Sequence, residues 1–394
     1  MKRILLYGAT GYSGDLIARE VRARTDDGDL PNHEVVLGGR NRARLEELGD
    51  ELNLHYIAFT LDDRARVDSV LSDFDVVINA AGPFADTGIR LAKAAISTNC
   101  HYVDINGEVG VYRLLDDLAR LAEDRQVRLV SGAGFTATVS DVMLRWAIAL
   151  LRKELRLKDA DRLALGAVRV AVSDCTNMSR GSVLTLVRSV REQVVVVRNS
   201  AYVHVPVGQL ERSFDFDSSS DRRVASAANL VDTCTALETA RDCKVDVGAI
   251  ESYIEMPLPV RLGYQWGAWA AVYASLPGIR NLTELQIAPL PDGPDEEERK
   301  ETRHKVLLQI ESPHREPWID WRIETPSSYD VTARTALEVA VKVTDAAEVG
   351  WLTPSDVLNL APAPTGLADP KPISLGTTPF QDCSIVGRPV MTPA

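Results

Sequence analysis

Cysteine is scarce in this chain and poorly placed for cross-linking. Five cysteines are spread over 394 residues, their number is odd, and no two have the C-x-x-C spacing. This pattern argues against a disulfide framework and against a zinc cluster, whose ligands are closely spaced. The six histidines are scattered as well, so we expect no metal site. The expected compartment is a reducing one, the cytoplasm.

Long apolar runs and an excess of basic charge are also lacking. A membrane-spanning helix needs about 18 consecutive apolar residues, and no uncharged stretch of this chain is that long. We therefore expect no membrane-spanning helix. The first apolar run stops at Gly8, which is too early for a signal peptide. The net charge is -12, whereas a nucleic-acid partner requires a basic surface. We therefore expect a small-molecule substrate as the partner and no nucleic acid.

Several enzyme signatures are missing too. No tyrosine is followed four residues later by lysine, as short-chain reductases require. The sequence also has no H-E-x-x-H, no G-x-S-x-G and no phosphate loop of the form G-x-x-x-x-G-K-[ST]. Zinc proteases, serine hydrolases of the nucleophile-elbow type and P-loop nucleotidases are thereby disfavoured.

Apolar strands alternate with amphipathic helices through the first 140 residues. Strands are predicted at Arg3–Tyr7, Glu34–Leu37, His55–Phe59, Phe74–Asn79, His101–Ile105 and Val127–Ser131. Strands joined by helices need right-handed crossovers, which produce a parallel sheet. We therefore predict an α/β chain that opens with a Rossmann domain, a doubly wound parallel sheet, over residues 1–140.

After residue 140 the pattern changes to longer, β-branched strands. In Trp318–Glu324, apolar and polar residues alternate, as in a half-exposed antiparallel strand. We predict a second, α+β domain over residues 141–330, for substrate binding or dimerisation, on a largely antiparallel sheet. The polar run Asp292–Arg303 is expected to be a solvated loop. Residues 331–394 supply a helix and a proline-rich tail.

A glycine turn joins the first predicted strand to the first helix. Its sequence is Gly8-Ala-Thr-Gly-Tyr-Ser-Gly14. In such a turn the first glycine permits an unusual φ, the second lets a diphosphate approach, and the third lets helix and strand pack closely. The helix N-terminus then faces the phosphates. The residues predicted to contact a dinucleotide here are Gly8, Thr10, Gly11, Tyr12, Ser13 and Gly14.

The end of the second strand predicts which dinucleotide is bound. NAD sites usually carry Asp or Glu there, on the ribose hydroxyls, but this chain has Gly38-Gly39-Arg40-Asn41. The Arg40 guanidinium suits a 2′-phosphate. We predict NADPH/NADP+ as the cofactor, with NADH disfavoured and with Arg40 and Asn41 in the site. Asp62, after the third strand, is expected near the adenine or on a surface loop.

Polar and small residues follow the fourth and fifth strands, where ligands of parallel sheets bind. We expect Asn79, Ala81, Gly82, Pro83 and Phe84 to lie beside the nicotinamide and its ribose. Tyr102, Asp104 and Glu108 are the predicted catalytic residues, as proton donors or substrate-orienting groups. Glu108 has a second interpretation, as a cap of the following helix. The turn Ser131–Phe135 is expected to be flexible and to line the cleft.

The chain resembles the saccharopine dehydrogenase-like oxidoreductases, a family that includes the trans-acting enoyl reductases. The resemblance rests on LLYGATGYSG, LGGRNRARLEEL, DVVINAAGPF and HYVDINGEV, in that order over residues 1–145. It implies NADP(H)-linked redox chemistry, a second domain on a mixed sheet, and a C-terminal segment that returns to the Rossmann domain. The family's Cys-Gly-Phe-Asp turn is here Gly132-Ala-Gly134-Phe135-Thr136, without the acid.

These observations favour a reductase that transfers a hydride from NADPH to a C=N or an activated C=C bond. For an enoyl substrate, the backbone amides of residues 132–135 are candidate donors to the enolate. The alternatives are an NADP(H)-binding sensor without turnover and a partner subunit of a biosynthetic complex. One apolar stretch carries four aromatic residues, Tyr264, Trp266, Trp269 and Tyr273. We expect them to line a substrate pocket, to form a homodimer face or to belong to the buried core.

Overall fold

The chain divides into two units, each built on its own β-sheet. The first unit is Met1–Thr138 with Ser328–Leu360, and the second is Val139–Ser327 with Ala361–Ala394. The predicted domain boundaries lie near residues 140 and 330. The computed structural model describes residues 1–158, 160–173, 178–183, 193–217, 222–258, 261–263, 291–359, 373–375 and 379–389.

The strands and helices are numbered in chain order over these described residues. The strands are β1 (Lys2–Tyr7), β2 (His33–Gly39), β3 (Tyr56–Ala58), β4 (Val76–Asn79), β5 (His101–Asp104), β6 (Arg128–Val130), β7 (Leu163–Val172), β8 (Val194–Arg198), β9 (Ala201–Val205), β10 (Glu211–Phe214), β11 (Arg223–Ala227), β12 (Val245–Glu255), β13 (His304–Glu311), β14 (Pro317–Thr325), β15 (Gly350–Leu352), β16 (Ile373–Ser374) and β17 (Ser384–Pro389). The helices are α1 (Tyr12–Asp26), α2 (Arg42–Leu52), α3 (Arg64–Leu71), α4 (Phe84–Thr98), α5 (Val109–Asp116), α6 (Ala119–Asp124), α7 (Phe135–Glu154), α8 (Asp232–Asp242), α9 (Glu296–Glu301), α10 (Ser328–Lys342) and α11 (Pro354–Leu358). Among these residues, no helix is both long and apolar enough to cross a membrane.

The first unit contains a seven-stranded parallel sheet in the order β15-β6-β5-β4-β1-β2-β3. Ile4, Leu5 and Leu6 of β1 are fully buried, as is Ile78 of β4, because helices cover both faces of such a sheet. The chain order reverses at β1, whose two neighbours are β2 and β4, and ligands of open α/β sheets bind at that point. The Rossmann prediction is confirmed.

Two features of this unit were not predicted. The seventh strand, β15, pairs with β6 through Gly350↔Arg128 and Leu352↔Val130; a three-residue strand this distant in sequence leaves no local pattern. The connection between β5 and β6 holds two helices, α5 and α6, with a break at residues 117–118.

The second unit contains a mixed ten-stranded sheet, largely antiparallel as predicted. The pair β7–β12 is parallel and the other recorded pairs are antiparallel. Strand β12 escaped prediction because Asp246, Gly248 and Glu251 interrupt its apolar pattern. Gly248 is required there, since a Cβ at this position would lie 2.6 Å from the Gly166 carbonyl oxygen of β7.

Two expectations about the second half of the chain need correction. The predicted loop Asp292–Arg303 contains helix α9, which a capping box of Asp295 and Glu298 stabilises at its N-terminus. The segment expected to return to the first domain is divided between the two units. Its first part, up to Leu360, belongs to the first unit, whereas β16 and β17 pair with each other and β17 pairs with β14 in the second sheet. The aromatic segment from Tyr264 to Tyr273 lies outside the described residues.

Candidate dinucleotide site and its polar network

The glycine turn leaves no room for side chains at two of its positions. Gly8 has φ +90°, and a Cβ there would lie 2.6 Å from the Ala81 amide nitrogen in the turn after β4. A Cβ on Gly14 would lie 2.1 Å from the Gly8 carbonyl oxygen. At Gly11, which precedes α1, the corresponding distance is 3.3 Å. The first and third glycines therefore have the roles predicted for them.

Helix α1 begins at this turn with an N-terminus suited to an anion. Its N-cap is Gly11, and no side chain caps it there, so no capping side chain competes with phosphate oxygens for this end of the helix. Thr10 and Ser13 are half-buried. The Tyr12 ring packs edge-on against Tyr329 of α10, with 5.0 Å between centroids. The turn fits a dinucleotide diphosphate.

The end of β2 combines closely packed glycines with an exposed cation. A Cβ on Gly38 would approach Leu5 Cδ1 to 2.9 Å, which explains the small residue. Arg40 is exposed, and no ion pair of this side chain is recorded within the described chain. Asn41 instead has a local role, since its Oδ1 accepts a hydrogen bond from the Arg44 amide and caps α2.

Arg40 and Asp62 both lie close enough to Tyr7 for their charges to affect its pKa. Burial raises the pKa of Tyr7, the charge of Arg40 opposes that rise, and Asp62 adds to it. The Asp62 carboxylate forms an exposed ion pair with Arg90 at 3.1 Å. Asp62 is thus engaged, whereas within the described residues no ion pair of Arg40 is recorded.

The turn after β4 is held by Asn79, which is fully buried. Its Oδ1 accepts from the Ala81 amide at 3.1 Å, and its Nδ2 donates to Thr87 Oγ1 and to the Tyr102 hydroxyl. Gly82 precedes a cis Pro83 and is exposed, with open space where a Cβ would be. Asn79 therefore fixes the turn from inside, while Gly82 is open to a ligand.

Tyr102 and Asp104 form the centre of a buried network at the ends of β4, β5 and β6. The Tyr102 hydroxyl donates to Asp104 Oδ2 at 2.9 Å. Asp104 Oδ1 accepts from the Asn106 amide, the Ser131 hydroxyl and the Gly132 amide at 2.8 to 3.0 Å. Neither side chain is exposed to solvent. The network ties three strand ends into one rigid edge.

Burial governs the protonation of this pair. It raises the pKa of Asp104 to about 6, although four hydrogen bonds oppose the rise. Burial, with Asp104 beside it, also holds the pKa of Tyr102 well above its usual value. Both side chains are fully buried and are hydrogen-bonded to each other. Tyr102 and Asp104 were predicted as proton donors or substrate-orienting groups. Their burial instead fits residues that hold the neighbouring turns in position.

Glu108 is the half-buried member of the predicted catalytic set. Its Oε1 accepts from the Phe84 amide at 3.1 Å, which links the turns after β5 and β4. Glu108 stands at the N-cap of α5, but its side chain does not cap that helix. The Phe84 ring packs against the apolar core of this unit.

The turn after β6 is fixed in place, contrary to expectation. The Gly132 amide donates to Asp104 Oδ1, the Ala133 amide to the Asp104 carbonyl, and the Phe135 amide to Thr332 Oγ1. Thr335 donates to the Ala133 carbonyl at 2.8 Å. These three amides are therefore engaged, so the predicted enolate donors at Gly132 to Phe135 are wrong for those positions.

Sequence reasoning missed the residues that complete this edge. They are Thr87, Asn106, Thr332 and Thr335, while Ser131 was expected only as the start of a flexible turn. Asn106 and Ser131 follow buried strands, a signal that was available. Thr332 and Thr335 arrive from α10, far along the chain, and only the fold brings them here. In the described residues, no His, Cys, Asp and Glu side chains group as a metal site.

Comparison with known proteins shows which families the first part of the chain is similar to. Residues 4–134 match the saccharopine dehydrogenase NADP binding domain. A trans-acting enoyl reductase of Mycobacterium ulcerans is 28% identical over 145 residues, 35% of this chain and 34% of that protein. A human saccharopine dehydrogenase-like oxidoreductase is 24% identical over 152 residues, 35% of each chain. The matched part is about a third of each of these relatives.

Two solved structures share the fold over most of the chain. Saccharopine dehydrogenase (L-Glu forming) of Saccharomyces cerevisiae aligns with a TM-score of 0.55 and 14% identity over 91% of this chain and 96% of that one. Homospermidine synthase of Legionella pneumophila, solved with NAD, aligns with a TM-score of 0.59 and 8% identity over 91% and 87%. The glycine turn and the parallel sheet agree with the sequence match: residues 4–134 are similar to the saccharopine dehydrogenase NADP binding domain, and the predicted resemblance is confirmed.

Proposed function

We propose that this protein is an NADPH-dependent reductase of a C=N or activated C=C bond in a small cytoplasmic metabolite. The observation that carries the proposal is the glycine turn, whose Gly8 and Gly14 exclude side chains beside the open N-terminus of α1. The exposed Arg40 at the end of β2 supports NADPH over NADH, because guanidinium groups bind phosphates with paired donors.

Bound NADPH would supply a hydride from its nicotinamide ring to the electron-poor carbon. The residues that would hold it are the first-turn amides of α1, Arg40 at the 2′-phosphate, and the open Gly82–Pro83 turn beside the nicotinamide. The buried network of Asn79 and Tyr102 keeps that turn in one place, which limits the loss of order when a ligand binds.

Glu108 is the proposed proton-handling group of the predicted set. It is half-buried at the ligand-binding edge, and one of its oxygens is held by the Phe84 amide. Such a carboxyl can protonate an imine nitrogen before hydride transfer. Tyr102 and Asp104 are positioning residues in this proposal, because they are fully buried and hydrogen-bonded to each other.

The test begins with calorimetric titration of the protein with NADPH and with NADH. We expect heat from NADPH binding and weaker binding of NADH; no heat with either dinucleotide would refute the proposal. Substrates are then sought by NADPH consumption with cyclic imines and with enoyl thioesters. Deuterium from NADPH labelled at nicotinamide C4 identifies the acceptor, since it appears on the amine-bearing carbon of a reduced imine or on the β-carbon of a reduced enoyl group.

A second candidate function is an NADP(H)-binding sensor without turnover. The observation that favours it is the burial of Tyr102 and Asp104, which leaves Glu108 as the single predicted acid with exposed surface. NADPH binding with no consumption across both substrate classes would support this candidate. Consumption that is lost in Glu108→Gln, while NADPH affinity is retained, would exclude it. The predicted homodimer is tested separately by sedimentation.

A further inference from the structure

A polar cavity of about 950 Å³ lies in the second unit, apart from the residues of the candidate dinucleotide site. It opens where β7 and β12 begin and β13 ends, beside the β8–β9 turn. Its floor depends on two glycines. A Cβ on Gly166 would lie 2.1 Å from the Ser312 carbonyl oxygen, and one on Gly248 would lie 2.6 Å from the Gly166 oxygen. Neighbouring backbone therefore excludes a side chain at either position.

Four arginines line this cavity in a chain whose net charge is -12. Arg169 is largely buried, and its charge is neutralised. It lies 3.1 Å from Glu251 and 2.6 Å from Glu311, with about a tenth of its side chain exposed. Its two carboxylate partners are the main acids of the cavity, so the charges at the base are already paired.

Glu251 has little capacity left for further donors. Besides Arg169, Glu251 accepts from the Tyr253 hydroxyl at 2.8 Å and from Arg198 at 2.5 Å. Burial by itself raises the pKa of Glu251, but the Tyr253 hydrogen bond and the two arginines lower it overall. Glu251 is therefore an ionised acceptor whose two oxygens are both engaged.

The outer arginines, in contrast, have donors to spare. Arg212 contacts Glu311 through one nitrogen at 3.3 Å, and its buried Nε has no hydrogen-bond partner within the described residues. Arg315 is exposed in the β13–β14 turn with φ +67°, and no ion pair of it is recorded there. The remaining acid of the lining, Asp246, pairs with Arg162. The lining thus holds four arginines against three acids, and one of those acids, Asp246, is paired outside it, which leaves a local excess of positive charge.

We propose that this cavity is a second ligand site, which binds a small oxyanion carrying two or more negative charges. Arg212 and Arg315 are its main donors, with Arg198 beside them. The shared chemistry is that of phosphates and polycarboxylates, both of which match the guanidinium fork. The cavity is within the size range of small-molecule sites, about 300–1,000 Å³. This site is independent of the dinucleotide turn.

The test is calorimetric titration of the full chain with pyrophosphate and with citrate, at low ionic strength, with and without saturating NADPH. NADPH removes binding of either anion at the α1 N-terminus, so the remaining heat reports the cavity. We expect saturable binding that Arg212→Gln and Arg315→Gln each weaken about tenfold or more, the worth of a hydrogen bond between charged groups. Tighter binding of pyrophosphate would assign a phosphorylated ligand, and tighter binding of citrate a polycarboxylate.

The matched control is Arg241→Gln, which removes the same charge from α8 of this unit, where Arg241 pairs with Glu238. It should bind both anions as the wild type does. Arg315→Gln keeps the test decisive if Arg212→Gln fails to fold, because Arg315 is exposed. Absence of binding of both anions in the presence of NADPH, or equal weakening in Arg241→Gln, would overturn the proposal.

Discussion

Replacement of Arg40 by glutamine should separate NADPH binding from NADH binding. Arg40 is exposed at the end of β2, and no carboxylate partner is recorded for it in the described chain, so the substitution breaks no internal ion pair. NADPH and NADH differ by the 2′-phosphate alone. The variant should therefore keep its stability and its affinity for NADH, and lose affinity for NADPH.

The expected loss follows from the kind of contact that Arg40 can make. An exposed ion pair is worth about 0–1 kcal/mol, whereas a hydrogen bond to a charged group contributes about 1.5–3 kcal/mol. A planar guanidinium that meets a dianionic phosphate with two donors belongs to the second class. We therefore expect Arg40→Gln to weaken NADPH binding about 10- to 150-fold, and NADH binding by less than about twofold.

Calorimetric titration with both dinucleotides provides the assay. The matched control is Arg66→Gln, which removes one exposed arginine from α3 of the same unit and should leave both affinities unchanged. The preference for NADPH should also decrease as ionic strength rises, because salt screens exposed charges. Equal affinity of the wild type for NADPH and NADH, or an equal loss of both in Arg40→Gln, would refute the role assigned to this residue.

Three further predictions concern the glycine turn and the buried network. Gly14→Ala should lower the free energy of unfolding by about 1–3 kcal/mol in urea denaturation, because its Cβ would lie 2.1 Å from the Gly8 oxygen; an unchanged midpoint would contradict this packing. Tyr102→Phe should cost about 1–3 kcal/mol, since Asn79 and Asp104 each lose a partner, and a neutral result would mean that water replaces the hydroxyl. Burial raises the pKa of Asp104 from 3.8 to about 6, so the folded state binds this proton more tightly than the unfolded state. This contribution to stability is complete below about pH 4 and is lost as the pH rises through about 6. Relative to Asp104→Asn, the wild type should therefore gain up to about 3 kcal/mol between about pH 7.5 and 4, and a change of opposite sign would refute the shift.

The parallel sheet and the glycine turn could be predicted because their causes are local. Strand β1 is apolar on both faces, and the spacing of Gly8, Gly11 and Gly14 follows from backbone contacts within a few residues. Strand β12 shows the opposite case, since Gly248 and Glu251 make sense only beside Gly166 and Arg169 of β7. Such residues read as strand breakers until the neighbouring strand is known.

The candidate site was predictable in position but not in the state of its side chains. Tyr102 and Asp104 are two residues apart on β5, so they lie on one face, where they are hydrogen-bonded. Their complete burial depends on Asn79, Ser131 and the turn after β6, which come from other strands. Sequence spacing shows which residues follow a strand, but it does not show how many partners surround a carboxylate.

The seventh strand of the first sheet has a consequence for the order of assembly. The β15 segment reaches its place beside β6 only after Val139–Ser327 of the second unit has been translated. Until then the nascent first unit has an unprotected sheet edge and lacks the α10 contacts of Phe135 and Ala133. A polypeptide that ends at residue 138 should therefore be prone to self-association, and the ribosome must release nearly the entire chain before the dinucleotide-binding half is complete.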